Sequence, residues 1–176
     1  MIAVDTNILV NAHRAESVFF RAALACMERL ANEAEAWAIP WPCIHEFVSV
    51  VTKRGPLRIP SDLHQALEQI DAWMESTNLL LLEETNRHWL VLRETLHAAD
   101  AHGGRVYDGR IAAICLEHGV TEIWTADRDF SRFAGLATYN PLLDDRVHDV
   151  SPRYGVAVRA RAAGRRRALA ARELRE

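Results

Sequence analysis

Short apolar runs alternate along the chain with longer segments in which apolar residues recur every three or four positions. A brief continuous apolar run suits a strand in a sheet that is covered on both faces, whereas the longer spacing is typical of a helix with one buried side. The runs predict strands at residues 2–4, 36–40, 77–84, 121–124 and 133–142. The spacing predicts helices at residues 15–35, 43–55, 60–76, 85–104 and 106–120.

The predicted helices have identifiable ends and faces. Glu16 or Ser17 is expected to cap the first helix and Ser61 the third, because such side chains accept hydrogen bonds from free backbone N–H groups. Pro42 suits the first turn of the second helix, where a missing N–H has no effect. The glycines expected to end helices are Gly55, Gly103, Gly104 and Gly119. The apolar face expected on the third helix comprises Leu63, Leu67, Ile70 and Met74.

Strands and helices alternate along most of the chain, which implies an α/β fold with a mostly parallel sheet and helices on both faces. No composition break occurs before about residue 145, so one domain is predicted over residues 1–145. Residues 146–176 are predicted to form an Arg-rich extension that is helical or disordered, because the apolar periodicity fades beyond Asp149.

Charge is distributed unevenly between these two parts. Residues 153–176 contain eight Arg and two Glu, a net charge of +6. Because the whole chain carries −3, residues 1–152 carry −9. The body therefore lacks the uniformly basic face that is typical of nucleic-acid-binding proteins, and any nucleic acid must be held locally.

The cysteines and histidines indicate neither a disulfide framework nor a zinc site. Cys26, Cys43 and Cys115 have no C-x-x-C spacing, which favours a reducing cytoplasm. The eight histidines form no H-E-x-x-H pattern, and no phosphate-binding glycine loop implies a nucleotide cofactor. No apolar stretch approaches the roughly 18 residues that a membrane span needs, so the chain is expected to be cytoplasmic and without a membrane partner.

Four acidic residues are expected to meet at one edge of the predicted sheet. Asp5 ends the first strand, and Asp127 ends the fourth. Glu46 lies in the first turns of the helix after the second strand, and Asp108 opens a late helix. In parallel α/β sheets, the carboxyl ends of the strands and the N-termini of the following helices face one crevice.

Crowded carboxylates repel one another, which raises their pKa values and destabilises a fold unless a cation compensates. Oxygen ligands favour Mg²⁺ or Mn²⁺ over zinc, and such a metal activates water for attack on a phosphodiester. Each acid alone also has an ordinary explanation as a helix cap, a turn former or a solvated first-turn residue. Asp5 is the hardest to explain in this way, because Thr6 and Asn7 offer hydrogen bonds that would hold its carboxylate.

Several segments together resemble the PIN-domain ribonucleases, and more narrowly the VapC-type toxins of bacterial toxin–antitoxin pairs. The segments are VDTNILV, WPCIHEFVSVVT, VYDGRIAAICLEHGV and IWTADRDFSRF, and the resemblance extends from about Met1 to Leu143. It implies a PIN-like three-layer α/β/α fold with a four- to five-stranded sheet. It also implies an endoribonuclease that depends on Mg²⁺ or Mn²⁺ and cleaves tRNA or rRNA, a homodimer, and a VapB-type antitoxin that covers the active site.

The resemblance further implies which residues form the site. The catalytic acids that carry over are Asp5, Glu46, Asp108 and Asp127. Asp5, Asp108 and Asp127 are expected to ligate the metal directly or through water. Glu46 is expected to be a ligand or a water-orienting base, and Asp129 stays open as an alternative to Asp127.

Other residues around these acids are expected to support the site or to bind RNA. The polar supports are Thr6, Asn7 and Thr125. Arg110 and Arg128 are the best candidates for holding RNA phosphates, with Arg105 a weaker one. Gly109 stands where such toxins often have Ala, and it is expected to weaken the start of its helix by up to about 1 kcal/mol without removing Asp108.

Two other function classes stay open. A PIN scaffold could serve as a non-catalytic RNA-binding or protein-interaction module, although the presence of all four acids argues against it. A phosphorylated receiver-like domain would also place an acid at a strand end. Such a domain is expected to use a lysine near a late strand, whereas Lys53 is the only lysine and lies in a predicted helix.

Overall fold

The computed structural model describes residues 1–55 and 59–143 of the chain. Its strands are β1 (Ile2–Val4), β2 (Trp37–Pro40), β3 (Leu79–Leu82), β4 (Glu122–Trp124) and β5 (Ala137–Tyr139). Its helices are α1 (Thr6–His13), α2 (Phe20–Asn32), α3 (Trp41–Thr52), α4 (Leu63–Met74), α5 (His88–Ala98) and α6 (Arg105–Glu117). Two 3₁₀ turns lie at Arg128–Arg132 and Pro141–Leu143.

The strands form one parallel sheet in the order β3-β2-β1-β4-β5, which confirms the predicted α/β class. Ala3 of β1 is aligned with Ala38 of β2 on one side and with Ile123 of β4 on the other. The carboxyl end of β1 therefore lies at the centre of one edge of the sheet. Among the helices, α1 packs against α2 and α3, α3 packs against α4, and α5 packs against α6.

The core lies between the sheet and these helices. Its largest fully buried side chains include Trp37, Phe47, Trp124 and Phe130. Each such side chain contributes roughly 2–3 kcal/mol to stability through the apolar surface that it removes from water. This rigid core holds the strand ends, and with them the acidic residues, in place.

Helix α1 was not predicted from the sequence pattern. Asp5 is its N-cap and accepts a hydrogen bond from the backbone N–H of Thr6. The helix buries Ile8, Leu9 and Ala12. With only eight residues, it is too short to show a clear apolar period beside the strand that precedes it.

The predicted caps of two helices are wrong. Helix α2 begins at Phe20 without a side-chain cap, and the Ser17 hydroxyl instead accepts a hydrogen bond from the N–H of Phe19. Glu16 does not cap α2 either, because its carboxylate pairs with Arg14. Helix α4 is capped by Asp62 and not by Ser61.

The apolar face predicted for α4 is also wrong in part. The buried side chains of α4 are Ala66, Ile70 and Trp73. The ring of Trp73 packs edge-on against that of Phe47, with 4.9 Å between centroids, and this contact orients the helix. The predicted residues left exposed are Leu63, Leu67 and Met74.

The predicted ends of three helices have different outcomes. Helix α5 ends before the predicted glycines because Asp100 adopts a left-handed conformation, with φ of 48°. The N–H of Ala101 then donates to the carbonyl of Leu96. Gly119 does end α6, with φ of 68°, and α3 ends three residues before Gly55. Pro42 lies in the first turn of α3, as predicted.

In the described parts of the chain, no helix is long and apolar enough to cross a membrane. The predicted boundary at residue 145 and the Arg-rich extension at 146–176 lie outside the described residues.

Candidate active site

Asp5 lies at the centre of the site because it directly follows the central strand. Its backbone N–H donates to the carbonyl of Trp124, which joins the end of β1 to the end of β4. Only 4% of Asp5 is exposed. Its Oδ1 accepts from the N–H of Thr6 at 2.7 Å, and its Oδ2 accepts from the Thr125 hydroxyl at 2.7 Å and from the Asn7 amide.

These contacts only partly compensate for the burial of the carboxyl group. The pKa of Asp5 is raised from 3.8 to about 6, chiefly by burial and to a lesser extent by the nearby carboxylates of Glu46 and Asp108. The hydrogen bonds from Thr125 and Thr6 act in the opposite direction. Two opposing effects therefore meet here: hydrogen bonds that orient an ionised carboxylate, and surroundings that disfavour its charge.

Thr125 connects the carboxylate to its neighbours. Its Oγ1 accepts hydrogen bonds from the Asn7 amide and from the N–H of Asp127, both at 2.9 Å. The Asn7 Oδ1 accepts from the N–H of Ala126, also at 2.9 Å. The predicted supports thus hold the loop after β4 against the first turn of α1.

Glu46 reaches this network from the second turn of α3. The hydroxyl of Thr6 donates to its Oε2 at 2.7 Å, although the residue as a whole is exposed. Thr6 therefore contacts two acids, Asp5 through its backbone and Glu46 through its side chain. One oxygen of Glu46 is held in place while the carboxylate keeps access to solvent.

Asp108 joins the cluster from α6, but it does not open that helix as predicted. Helix α6 begins at Arg105 with Gly104 as its N-cap, so Asp108 is the fourth helical residue. Its pKa is raised from 3.8 to about 6, chiefly by burial and then by the carboxylates of Asp127, Glu46 and Asp129. The guanidinium of Arg105 opposes it.

Asp127 and Asp129 differ in their surroundings. Asp127 lies three residues beyond β4, and its Oδ1 accepts from the N–H of Asp129 at 2.8 Å. The carboxylate of Asp129 is held by Arg105 and Arg132, each with N–O distances of 3.4 Å. Of the two carboxylates, that of Asp127 raises the pKa of Asp108 more strongly. The carboxylate of Asp127 is therefore the one less occupied by cations of the protein itself.

The predicted RNA-binding arginines are placed differently from one another. Arg105 is paired with Asp129. Arg110 donates through Nε to Glu84 at 2.6 Å, which leaves the outer nitrogens of its guanidinium to other partners. Arg128 is exposed and forms no ion pair with any described residue. Arg110 and Arg128 are thus better placed than Arg105 to contact an anion.

Sequence reasoning missed two residues of this site. Glu84 follows β3 and orients Arg110 from 26 positions away, so no local pattern could reveal the pair. Cys43 lies beneath Asp5, with its Sγ 3.9 Å from Oδ1. Burial and the neighbouring Asp5 raise the pKa of the Cys43 thiol, so that it stays uncharged.

Sequence reasoning also missed a cleft of about 450 Å³ between α3 and α6. Its lining includes His45, Glu46, Tyr107, Asp108 and Arg110.

The chemistry of the cluster fits a hard divalent cation. Its donors are carboxylate oxygens, and two of the carboxyl groups have raised pKa values that a nearby cation would lower. Among the described residues, no three His, Cys, Asp or Glu side chains are already grouped closely enough to hold a metal ion. Mg²⁺ does not need such a cage, because it commonly binds one or two carboxylates and retains several waters.

Comparison with known proteins places these observations in a family. The model of the PIN domain matches residues 2–136. The ribonuclease VapC43 of Mycobacterium tuberculosis is 34% identical over 148 residues, which cover 84% of this chain and 99% of that protein. Ribonuclease VapC48 of the same organism is 28% identical over 137 residues, which cover 78% of this chain and 94% of that protein.

A solved structure shows the same fold at lower identity. VapBC2 from Rickettsia felis, crystallised with a DNA fragment from its promoter, aligns with a TM-score of 0.58 and 20% identity over 80% of this chain and 98% of that chain. The parallel five-stranded sheet therefore corresponds to the three-layer PIN arrangement. With an acidic cluster at its centre and a relative that matches over nearly its whole length, the chain belongs to the PIN-domain family and, within it, to the VapC ribonuclease toxins.

Proposed function

We propose that the protein is an endoribonuclease that depends on Mg²⁺ or Mn²⁺ and cleaves tRNA or rRNA as the toxin of a toxin–antitoxin pair. The observation that carries the metal dependence is the acidic cluster itself. Asp5 and Asp108 come from different elements, and each has a pKa raised to about 6 by burial and by neighbouring carboxylates. A divalent cation would offset this repulsion.

In this proposal, Asp5, Asp108 and Asp127 hold the metal directly or through water. When bound, the metal would supply positive charge at the phosphodiester and a water of lowered pKa. Thr125 and the N–H of Thr6 keep Asp5 in the orientation needed to contact it. Asp129 is the less favoured ligand, because two arginines already contact its carboxylate.

Glu46 has the position of a proton acceptor. The Thr6 hydroxyl holds one of its oxygens, and the residue is open to solvent and to the cleft. An exposed, oriented carboxylate can accept a proton from an attacking water. Arg110 and Arg128 would contact RNA phosphates, which supply affinity without sequence information.

The choice of structured RNA as substrate is supported by a structural neighbour. A VapC20 structure from M. tuberculosis, described as a sarcin–ricin-loop-cleaving toxin, aligns with a TM-score of 0.55 and 20% identity over 74% of this chain and 93% of that chain. The substrate of that toxin is the basis for proposing the same class of RNA here, and the cleavage assay tests this choice.

The test is cleavage of a mixed tRNA and rRNA pool by the purified protein. Discrete fragments are expected with Mg²⁺ or Mn²⁺, and they should vanish with EDTA or in the Asp5→Asn variant. Asp71→Asn is the matched control, because Asp71 is exposed on α4 and its carboxylate forms no ion pair with any described residue. Full activity of Asp5→Asn, or activity that EDTA does not reduce, contradicts the proposal. A folded protein that cleaves no RNA under any condition favours a non-catalytic binding module.

We further propose a VapB-type antitoxin and a homodimer as the partners. The Rickettsia felis structure contains toxin and antitoxin together. Light scattering should give about twice the 19.9 kDa mass of the chain, and a protein encoded beside it should abolish cleavage when added. A monomeric mass contradicts the homodimer. All three cysteines are buried, and none forms a disulfide bond in the described part of the chain, which supports action in the reducing cytoplasm.

A further inference from the structure

The cleft beside the acidic cluster has walls of two kinds. One end is acidic, with Glu46 from α3 and Asp108 from α6. The adjoining walls carry an aromatic residue from each helix, His45 and Tyr107. The cleft, of about 450 Å³, is large enough for one nucleotide and not for a duplex.

Tyr107 is the most open of the aromatic side chains along this cleft. It is 71% exposed, and its side chain makes no hydrogen bond or ring contact with any described residue. Because it directly precedes Asp108 on α6, whatever occupies the space beside its ring lies close to the acidic cluster.

Helix α3 supplies a second aromatic residue to the lining of the cleft. His45 is exposed, and its ring lies 5.8 Å from that of Trp41 at an angle of 33°. This partial stacking restrains the imidazole, which also lines the cleft. Two aromatic rings, supplied by different helices, therefore border the same opening.

A positively charged side chain also lines the cleft. Arg110 lines it, and the bond from its Nε to Glu84 fixes the guanidinium from the side away from its outer nitrogens. A planar guanidinium held in this way can donate to a phosphate through those nitrogens. The cleft thus combines rings for a base with a donor for a phosphate.

From this arrangement we propose that the cleft binds one unpaired nucleotide of single-stranded RNA next to the bond that is cut. The base stacks on Tyr107, with His45 on the other wall, and Arg110 contacts the adjoining phosphate. Bases unstacked from a loop or single strand are recognised on aromatic rings in this way, without need for a particular sequence. This inference rests on the proposed function, because it assigns the substrate side of the same site.

The test measures binding of a short oligoadenylate that carries one central 2-aminopurine, whose fluorescence is quenched by stacking. The parent protein is the Asp5→Asn variant, so that the RNA stays intact. Tyr107→Leu should raise Kd by about tenfold or more and remove the quenching, because one base–aromatic stack is lost. Tyr107→Phe should bind within about twofold of the parent, because it keeps the ring.

Trp89→Leu is the matched control, since Trp89 is also strongly exposed, at 70%, but lies on α5 outside the cleft. Its Kd should not change. Equal Kd values for Tyr107→Leu and the parent overturn the inference, as does an increase in Kd for Tyr107→Phe as large as that for Tyr107→Leu. A duplex that binds the parent as tightly as the single strand, or a parent that binds no RNA, overturns it as well. The wild-type cleavage assay tests the proposed ribonuclease function separately, so the nucleotide-binding inference and the proposed function can fail independently.

Discussion

Replacing Asp108 by Asn should stabilise the metal-free protein while removing its response to metal. The carboxyl group of Asp108 is part of a cluster in which Asp127, Glu46 and Asp129 all disfavour its charge. No described residue donates a hydrogen bond to it, so an amide of the same shape loses no partner. The change therefore relieves repulsion at little structural cost.

The magnitude follows from the shifted pKa. A rise from 3.8 to about 6 corresponds to about 3 kcal/mol, since each pKa unit is worth about 1.36 kcal/mol. Asp108 is only half-buried, so solvent screening reduces the expected gain to about 1–2 kcal/mol. A gain of this size would raise Tm by about 2–8 °C in a domain of this length.

The gain should depend on pH in one direction. Because the folded pKa is raised, the ionised group opposes folding above about pH 6 and has no effect once both states are protonated below about pH 4. Wild-type stability from this group thus falls as the pH rises from about 4 to 6. The advantage of Asp108→Asn is expected in full at pH 7.5 and should shrink towards zero near pH 4.

The assay is thermal unfolding in EDTA and in Mn²⁺, with Asp71→Asn as the control. Mn²⁺ should raise the Tm of the wild type and of the control, because an ion that binds only the folded state stabilises it. It should leave Asp108→Asn nearly unchanged, and that variant should not cleave RNA. A lower Tm for Asp108→Asn in EDTA, or an unreduced response to Mn²⁺, refutes the reasoning.

Two further substitutions probe the supports of the site. Thr125→Val removes the hydroxyl that donates to Asp5 and accepts from Asn7. Urea denaturation should show that the free energy of unfolding falls by about 1–3 kcal/mol, and RNA cleavage should also fall. Thr125→Ser, which keeps the hydroxyl, should restore both. An unchanged urea midpoint would show that the hydroxyl is dispensable. Gly109→Ala should gain less stability than the roughly 1 kcal/mol that Ala offers over Gly in a helix, because the new Cβ would lie 2.4 Å from the Leu96 Cδ2 and the leucine side chain must move. In a Leu96→Ala background the same change should give the full gain of up to about 1 kcal/mol. An equal gain in both backgrounds would rule out this contact as the cause.

Gly109 shows how a single residue can have different meanings in the sequence and in the structure. From the sequence it is only a weakening of a helix, since Gly is a poor helix former. In the structure α5 approaches α6 so closely at this point that the Leu96 side chain occupies the space of a Cβ. The residue thus permits a close helix contact beside Asp108, which no local pattern could indicate.

The acids themselves could be predicted because each follows a local rule. Asp5 follows a buried strand and Asp127 comes shortly after another, and the ends of parallel strands meet at one edge. The orientation of α4 could not be predicted, because Leu63 and Ile70 are both apolar and both fit a helical period. The tertiary packing, including the contact between Trp73 and Phe47, decides which side faces the core.

The sequence by itself therefore determined the parallel α/β class and the positions of the strands, and it predicted a set of acids for the site, because burial periodicity and strand-end chemistry act over a few residues. The tertiary structure alone decided which charges are already compensated. Arg105 is paired with Asp129 and Arg110 with Glu84, while Asp5 and Asp108 are left among like charges. These relations join residues that are distant in the chain, so they exist only once the sheet and helices have packed.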